Sequence, residues 1–351
     1  MKRKLLFHLL FLGICIISWQ CVDQISLKID GSPRNVVVDG LLTDSLMDHV
    51  IKIRYSAALG VGNDNILEPL PGASVTVIDN ENARFKFLET RPGFYNLKMK
   101  GIAGKSYYLE IVLADGKKIK SDPQLLTPAP PIGKIVTEVK DETFINASGN
   151  VSVDTRLILK MNVDLNGATG SPYLRWRAEG EYEFREAYPM ALSTKVCYVK
   201  NNVDLSNLRI FDSKNISGRF IKDEPFINTP LDYRFANQYC FHVLQYSISE
   251  KEYIYWKRVR SITTLDGSLF DNPPGKVIGN LYYTDSKTEN VVGYFSVNGL
   301  QSMRFFANPQ SLNQIDIEPK CRFRFNSTPS RDCLDCLTID ESTLVKPSYW
   351  Q

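Results

Sequence analysis

Cys21 follows a segment whose residue types announce a chemistry. Lys2, Arg3 and Lys4 make a basic start, and Leu5 to Ile17 is an almost unbroken apolar run. Ser18-Trp19-Gln20 then leads to the cysteine, and the chain turns polar at Asp23. That order is the layout of a secretory signal, and a cysteine at its end suggests bacterial lipoprotein processing over residues 1–20. The mature chain would begin at Cys21, carry acyl chains there and keep its body in water. Ser18 and Gln20 depart from the branched apolar and small residues usual before such a cysteine. Two alternatives therefore stay open. One is an uncleaved anchor helix with Cys21 as an ordinary thiol; the other is processing at Cys15, after Leu12, Gly13 and Ile14.

The chain has seven cysteines. Beyond Cys15 and Cys21 these are Cys197, Cys240, Cys321, Cys333 and Cys336. Thiols outside the cytoplasm tend to pair, and an odd number leaves one over. The reading favours a bridge from Cys321 to Cys333 or Cys336, because Asn326, Pro329 and Ser330 between them suit a chain reversal. Cys197–Cys240 is the second choice. Cys321 with Cys333-Leu-Asp-Cys336 also holds the makings of a zinc site, but disulfides suit an exported chain better, and no metal or cofactor is expected.

The remaining chemistry is sparse. The three histidines are His8, His49 and His242, and His8 leaves with the signal. Two histidines cannot build a histidine-rich metal site, and they restrict any Ser-His-Asp arrangement to His49 or His242. Gly104-Lys105-Ser106 resembles the end of a phosphate loop, but Met99 stands where the first glycine is required, and the segment feeds a strand instead of a helix. A β-turn fits better. Asp164-Leu165-Asn166-Gly167 echoes a calcium loop without the other ligands and reads as a turn. Carboxylates are numerous, but no pair is singled out for glycosidase chemistry. Tyr173, Trp176, Tyr182, Phe184 and Tyr188 offer aromatic surface for sugar or protein, with core packing as the default.

The elements that would position these groups are mostly strands. After a tether over 21–34, period-two patterns run from Asn35 to Leu42, His49 to Tyr55 and Ala73 to Ile78. Arg84–Leu88 with Gly93–Met99 and Tyr107–Leu113 with Lys117–Lys120 read as hairpins, the second across Asp115-Gly116. Short strands at this spacing predict an Ig-like antiparallel β-sandwich over 35–127. Pro128-Ala129-Pro130-Pro131 reads as a stiff linker. A second β-rich, sandwich-like domain then occupies 128–351, with strands at Val151–Val163, Leu174–Phe184, Tyr239–Tyr246, Lys276–Tyr283 and Val291–Val297. The stretch from Glu186 to Tyr233 reads as irregular. One helix is predicted near 249–265: Ser249 and Glu252 form a capping box, Ile248 and Tyr253 a hydrophobic staple, and Asp266-Gly267 ends it.

Composition sets the outer limits. Apolar residues make up 43% of the chain and charged residues 23%, a globular balance. The 42 basic and 39 acidic residues include Lys2, Arg3 and Lys4, so the chain after the signal is balanced. That excludes the basic excess of a nucleic-acid binder. No second long apolar segment follows the signal, which leaves Cys21 as the evident membrane attachment.

Several segments line up in order with one family. They are Val36-Val37-Val38-Asp39-Gly40-Leu41-Leu42-Thr43, Gly72-Ala73-Ser74-Val75-Thr76-Val77, Pro92-Gly93-Phe94-Tyr95 and Gly104-Lys105-Ser106-Tyr107. Gly267 to Pro274, Val292-Gly293-Tyr294-Phe295, the Cys333/Cys336 pair and Lys346-Pro347-Ser348-Tyr349-Trp350 complete the series. Together they resemble the exported lipoproteins of Bacteroidota called domain of unknown function 4249. Members commonly carry Gly-Gly-Thr between the cysteine pair and the final Lys-Pro; Thr338 to Val345 lacks it here. The resemblance implies a partner of TonB-dependent outer-membrane transporters, because the genes often adjoin. The expectation is thus a non-enzymatic lipoprotein anchored at the outer membrane that binds a transporter β-barrel or its cargo. A carboxylate-dependent hydrolase acting on glycan or peptide and a surface structural or adhesion protein are the alternatives.

Overall fold

The computed structural model describes residues 34–56, 67–146, 148–166, 170–186, 194–201, 203, 208–263, 277–286, 289–313, 315–322 and 328–350. Cys15, Cys21, Tyr188, Gly167 and the segment Gly267–Pro274 lie outside them. The chain is mainly β, 54% strand and 10% helix. Among the described residues no helix is long and apolar enough to cross a membrane. Segments 1–34 and 56–68 form a unit of their own, in which Arg34 pairs with Glu68; the rest of this section concerns the larger unit.

Alternating β-branched and polar residues give β1 (Val36–Thr43) and β2 (Met47–Tyr55), paired antiparallel with Val38 opposite Ile53. After the short β3 (Glu68–Pro69) come β4 (Ser74–Asp79), β5 (Arg84–Arg91), β6 (Phe94–Met99), β7 (Ser106–Val112), β8 (Lys118–Ser121) and β9 (Gln124–Leu125). The predicted turns fall where the chain reverses. Gly93 has φ 73°, and a Cβ there would lie 2.6 Å from the Ile53 carbonyl, so only glycine fits.

The second half contains β10 (Ile132–Ile145), β11 (Val151–Asp164), β12 (Tyr173–Arg185), β13 (Val196–Asn201), β14 (Arg209–Asp212), β15 (Phe220–Pro230) and β16 (Tyr239–Ile248). Helix α1 (Glu250–Thr263), β17 (Leu281–Tyr283), β18 (Val291–Ala307) and β19 (Ser342–Thr343) complete it. The larger sheet runs β17-β8-β7-β4-β5-β6-β2-β1-β18-β16-β12-β13-β19, with β14 also on β12 and β9 on β7. A small sheet, β10-β11-β15, stands apart from it.

Two apolar cores result. In the first, Val38, Ile51 and Ile53 meet Val75, Leu109, Ile111 and Ile119. In the second, Leu157, Leu159 and Met161 of the small sheet pack against Trp176, Phe184, Phe241 and Val243. Each fully buried side chain of this kind contributes about 1.5–3 kcal/mol. The first core also takes Leu281, Tyr283, Phe295 and Val297, so residues far beyond 127 complete it. β18 joins the two: it pairs in parallel with β1 from Val291 to Asn298, then antiparallel with β16 from Gly299 to Ala307.

The proline segment is built into this junction. Ala129 and Pro130 are buried. Prolines offer carbonyls but no N–H, and Gln245 Nε2 donates to the Pro130 carbonyl at 2.6 Å while the Gly299 N–H donates to Thr127 at 3.0 Å.

Two expectations change. The region 186–233 holds β13, β14 and β15, and β15 hides its period because its register against β11 shifts twice and Asp223 takes φ 49°. The helix starts as expected, with the Glu252 N–H donating to Ser249 Oγ at 3.2 Å. The Glu252 carboxylate, however, turns inward and forms no second half of a capping box. Ile248 and Tyr253 share one apolar cluster, as a staple requires.

Candidate functional site

β12 is the strand that builds the site. One of its edges pairs with β14 from Tyr173 to Trp176 and with β13 from Gly180 to Arg185. Between them, from Arg177 to Glu179, that edge has no strand partner among the described residues. A cavity of about 330 Å³ opens at this gap. Strand alternation delivers Arg175 to one face and Trp176 to the other. The register puts Arg209 opposite Trp176 and Ile210 opposite Arg175, so the two guanidinium groups enter the cavity from opposite faces of the β12–β14 ladder.

On the first face, Arg175 lies over the Trp256 ring of α1, 3.8 Å from its centroid, and 5.8 Å from that of Tyr246. Trp256 is held by its Nε1–H, which donates to Glu252 Oε1 at 3.0 Å. On the second face, Trp176 donates to Gln245 Oε1 at 2.8 Å and packs against Phe226, centroids 6.3 Å apart. The lining thus combines indole and phenyl faces with cations.

Those cations are unevenly matched. Lys52 lies 4.0 Å from Asp39, and Arg177 lies 3.7 Å from Glu179. Arg175 and Arg209 make no hydrogen bond or ion pair among the described residues, and the Nε of each is buried and unpartnered. Burial holds both guanidinium groups below their ordinary value, opposed by Glu252 and Asp39 for Arg175 and by Glu224 for Arg209. Asp39 is the one carboxylate among the described lining residues.

A smaller recess of about 180 Å³ lies further along β12, lined by Glu179, Glu181, Cys240, His242 and Tyr349 among others. His242 Nδ1 is 3.8 Å from Glu179, and Tyr349 donates to Glu181. Cys240 is a free, buried thiol, pushed up to about 11 by burial. A thiol so far from ionisation is a poor nucleophile at neutral pH.

The other predicted residues are structural. Cys321 bonds to Cys333, one of the two partners expected for it. Cys197 bonds to Cys336 and not to Cys240. The correction has a geometric cause: Cys197 points into the second core with Cys336, whereas Cys240 packs in a separate cluster with Tyr198 and Trp350. Among the described residues no group of three or more His, Cys, Asp and Glu is placed to hold a metal ion. His49 is buried and donates from Nε2 to the Met99 carbonyl at 3.2 Å. Gly104 takes φ 86° in a turn, and Lys105 is tied to Asp79 at 3.0 Å and Glu81 at 2.6 Å. Asp164 Oδ1 accepts from the Asn166 N–H at 2.8 Å, a turn contact.

One feature of the small sheet escaped sequence reading. β10 and β11 pair from Ile132/Val163 to Ile145/Val151, but β15 covers β11 only from Asp164 back to Arg156. Beyond Arg156 the hairpin continues as two strands alone. The face that buries Leu157 and Leu159 carries on as Val153, Val151 and Ile145, which are 62%, 75% and 73% exposed. Asn146 Oδ1 accepts from the N–H groups of Ser148 and Asn150, both at 3.0 Å, which orders the turn at the tip.

No curated protein matches this chain. The family model described as domain of unknown function (DUF4249) matches residues 22–302. The expected resemblance is thereby met over most of the chain, and the protein belongs to the DUF4249 family.

Proposed function

We propose that this chain is a non-enzymatic lipoprotein, held at the outer membrane by acylated Cys21, that docks on a TonB-dependent transporter through the tip of the β10–β11 hairpin. The observation that carries the reading is the exposed apolar face of Ile145, Val151 and Val153 on an ordered turn. Water-exposed β-branched side chains aligned on one strand face are a liability unless a partner covers them. The hydrolase alternative has less support. The larger cavity's described lining offers one carboxylate where glycosidases need two, and the thiol near His242 is protonated.

The test is a pull-down of tagged full-length protein from native membranes. A β-barrel transporter should co-purify with the wild type. Ile145→Lys with Val151→Glu should lose it while keeping the folded signature by circular dichroism. Cys21→Ala should weaken it, because the anchor raises effective concentration. Equal recovery with the hairpin variant, or no barrel above background, overturns the proposal.

A further inference from the structure

The cavity at the β12 gap supports an inference independent of the hairpin. We propose that it is a binding site for a small molecule presenting an oxyanion, carboxylate or phosphate, on a flat apolar body. Arg175 and Arg209 are the recognition residues, and Trp256, Trp176 and Phe226 receive the body.

Three observations carry this. First, two guanidinium groups line one cavity with buried Nε atoms that no described residue satisfies. Burying a cation without a hydrogen-bonded anion is costly, and an oxyanion supplies the missing acceptor. Guanidinium geometry suits carboxylate and phosphate in particular. Second, the cations outnumber the anions there: Lys52 and Arg177 have carboxylates nearby in Asp39 and Glu179, while Arg175 and Arg209 are left for a ligand. Third, the aromatic side chains are held in place from behind, Trp256 by Glu252 and Trp176 by Gln245. Pre-positioned rings with a few convergent polar groups are the make-up of a small-molecule site, and about 330 Å³ is enough for a small one. Simple packing explains the rings but not the unpaired guanidinium groups beside them.

Full-length protein purified from membranes in detergent is titrated with four probes at low ionic strength, followed by calorimetry and tryptophan fluorescence. Benzoate and phenyl phosphate present the two oxyanions on one flat ring; benzamide is the neutral isostere of benzoate, and inorganic phosphate lacks the ring. The expected result is saturable binding of benzoate or phenyl phosphate, at least about tenfold tighter than benzamide or inorganic phosphate, roughly 1.4 kcal/mol. The tighter of the two names the oxyanion. Arg175→Met and Arg209→Met should each weaken that binding by about tenfold or more. Benzamide binding as tightly as benzoate, or no saturation with either ring-bearing anion, overturns the site. Unchanged affinity in a folded Arg175→Met or Arg209→Met protein overturns the assigned residues. If a variant does not fold, the wild-type benzoate-to-benzamide ratio decides alone.

Discussion

Trp256 Nε1 donates to Glu252 Oε1 one helical turn back along α1, and the same oxygen accepts from Ser296 Oγ at 2.8 Å and Asn298 Nδ2 at 3.2 Å on β18. A single carboxylate oxygen thus ties α1 to the strand shared by both cores. It also explains the missing half of the capping box, since a carboxylate buried to 1% exposure among three donors has no reason to reach back to the helix start. With Arg175 on the face of the same indole, the contact fixes the floor of the cavity.

Trp256→Phe keeps the ring and removes the N–H. A hydrogen bond to a charged group contributes about 1.5–3 kcal/mol, so the variant should lose roughly that in urea unfolding. Glu252→Leu leaves three donors without their acceptor and should lose more. Trp256→Phe as stable as the wild type would refute the assignment.

Glu341 occupies the left-handed region at φ 58° in the turn where relatives commonly carry Gly-Gly-Thr. A non-glycine residue is strained there. Its carbonyl accepts from the Lys200 N–H at 3.4 Å, a contact that any residue keeps. Glu341→Gly should therefore stabilise by about 0.5–1 kcal/mol, the relief of strain exceeding the added freedom of the unfolded chain. Thermal unfolding at neutral pH checks it, and a lower midpoint would count against it.

Burial pushes the His49 imidazole below its ordinary 6.5. The unfolded chain then takes up the proton before the folded one does. Stability is complete above the unfolded value and is lost as pH falls through about 6.5 toward the lower folded value. Unfolding free energy should decline from pH 7.5 to pH 5.5, and His49→Gln, which retains a donor for the Met99 carbonyl, should show a flatter profile. A parallel profile would remove His49 as the cause.

Legibility followed the range of the physics. β1, β2, β4, β11 and β12 were readable because a half-buried strand writes period two into its own residues. β10 was not, because its outer half is exposed on both faces and its alternation carries Lys140, Asp141 and Glu142. The parallel pairing of β1 with β18 was invisible, since nothing in Val36–Thr43 records a partner at Val291–Asn298. The candidate site was half visible. Arg175 and Arg177 alternating with Trp176 and Ala178 read as a solvated face, and the fold lays α1 over Arg175 instead. Arg209 had no local signal at all.

The bridges are the last element that spacing alone did not decide, and they make the most discriminating prediction. Cys197–Cys336 closes a separation of 139 residues and Cys321–Cys333 one of 12. By the loop-entropy account these constrain the unfolded chain by about 5 and about 3 kcal/mol. Cys336→Ala should therefore destabilise more than Cys333→Ala, which can be read from unfolding midpoints. Cys240 is 2% exposed with its thiol raised to about 11, so it should resist thiol reagents in the native protein. After unfolding without reductant, one thiol per mature molecule should react, and peptide mapping should assign it to Cys240. The count also reports on the anchor, because an acylated Cys21 contributes no thiol and an unmodified one adds a second. Cross-linked peptides joining Cys197 to Cys240 would overturn the bridge pattern, and a second reactive thiol mapped to Cys21 would overturn the lipid anchor.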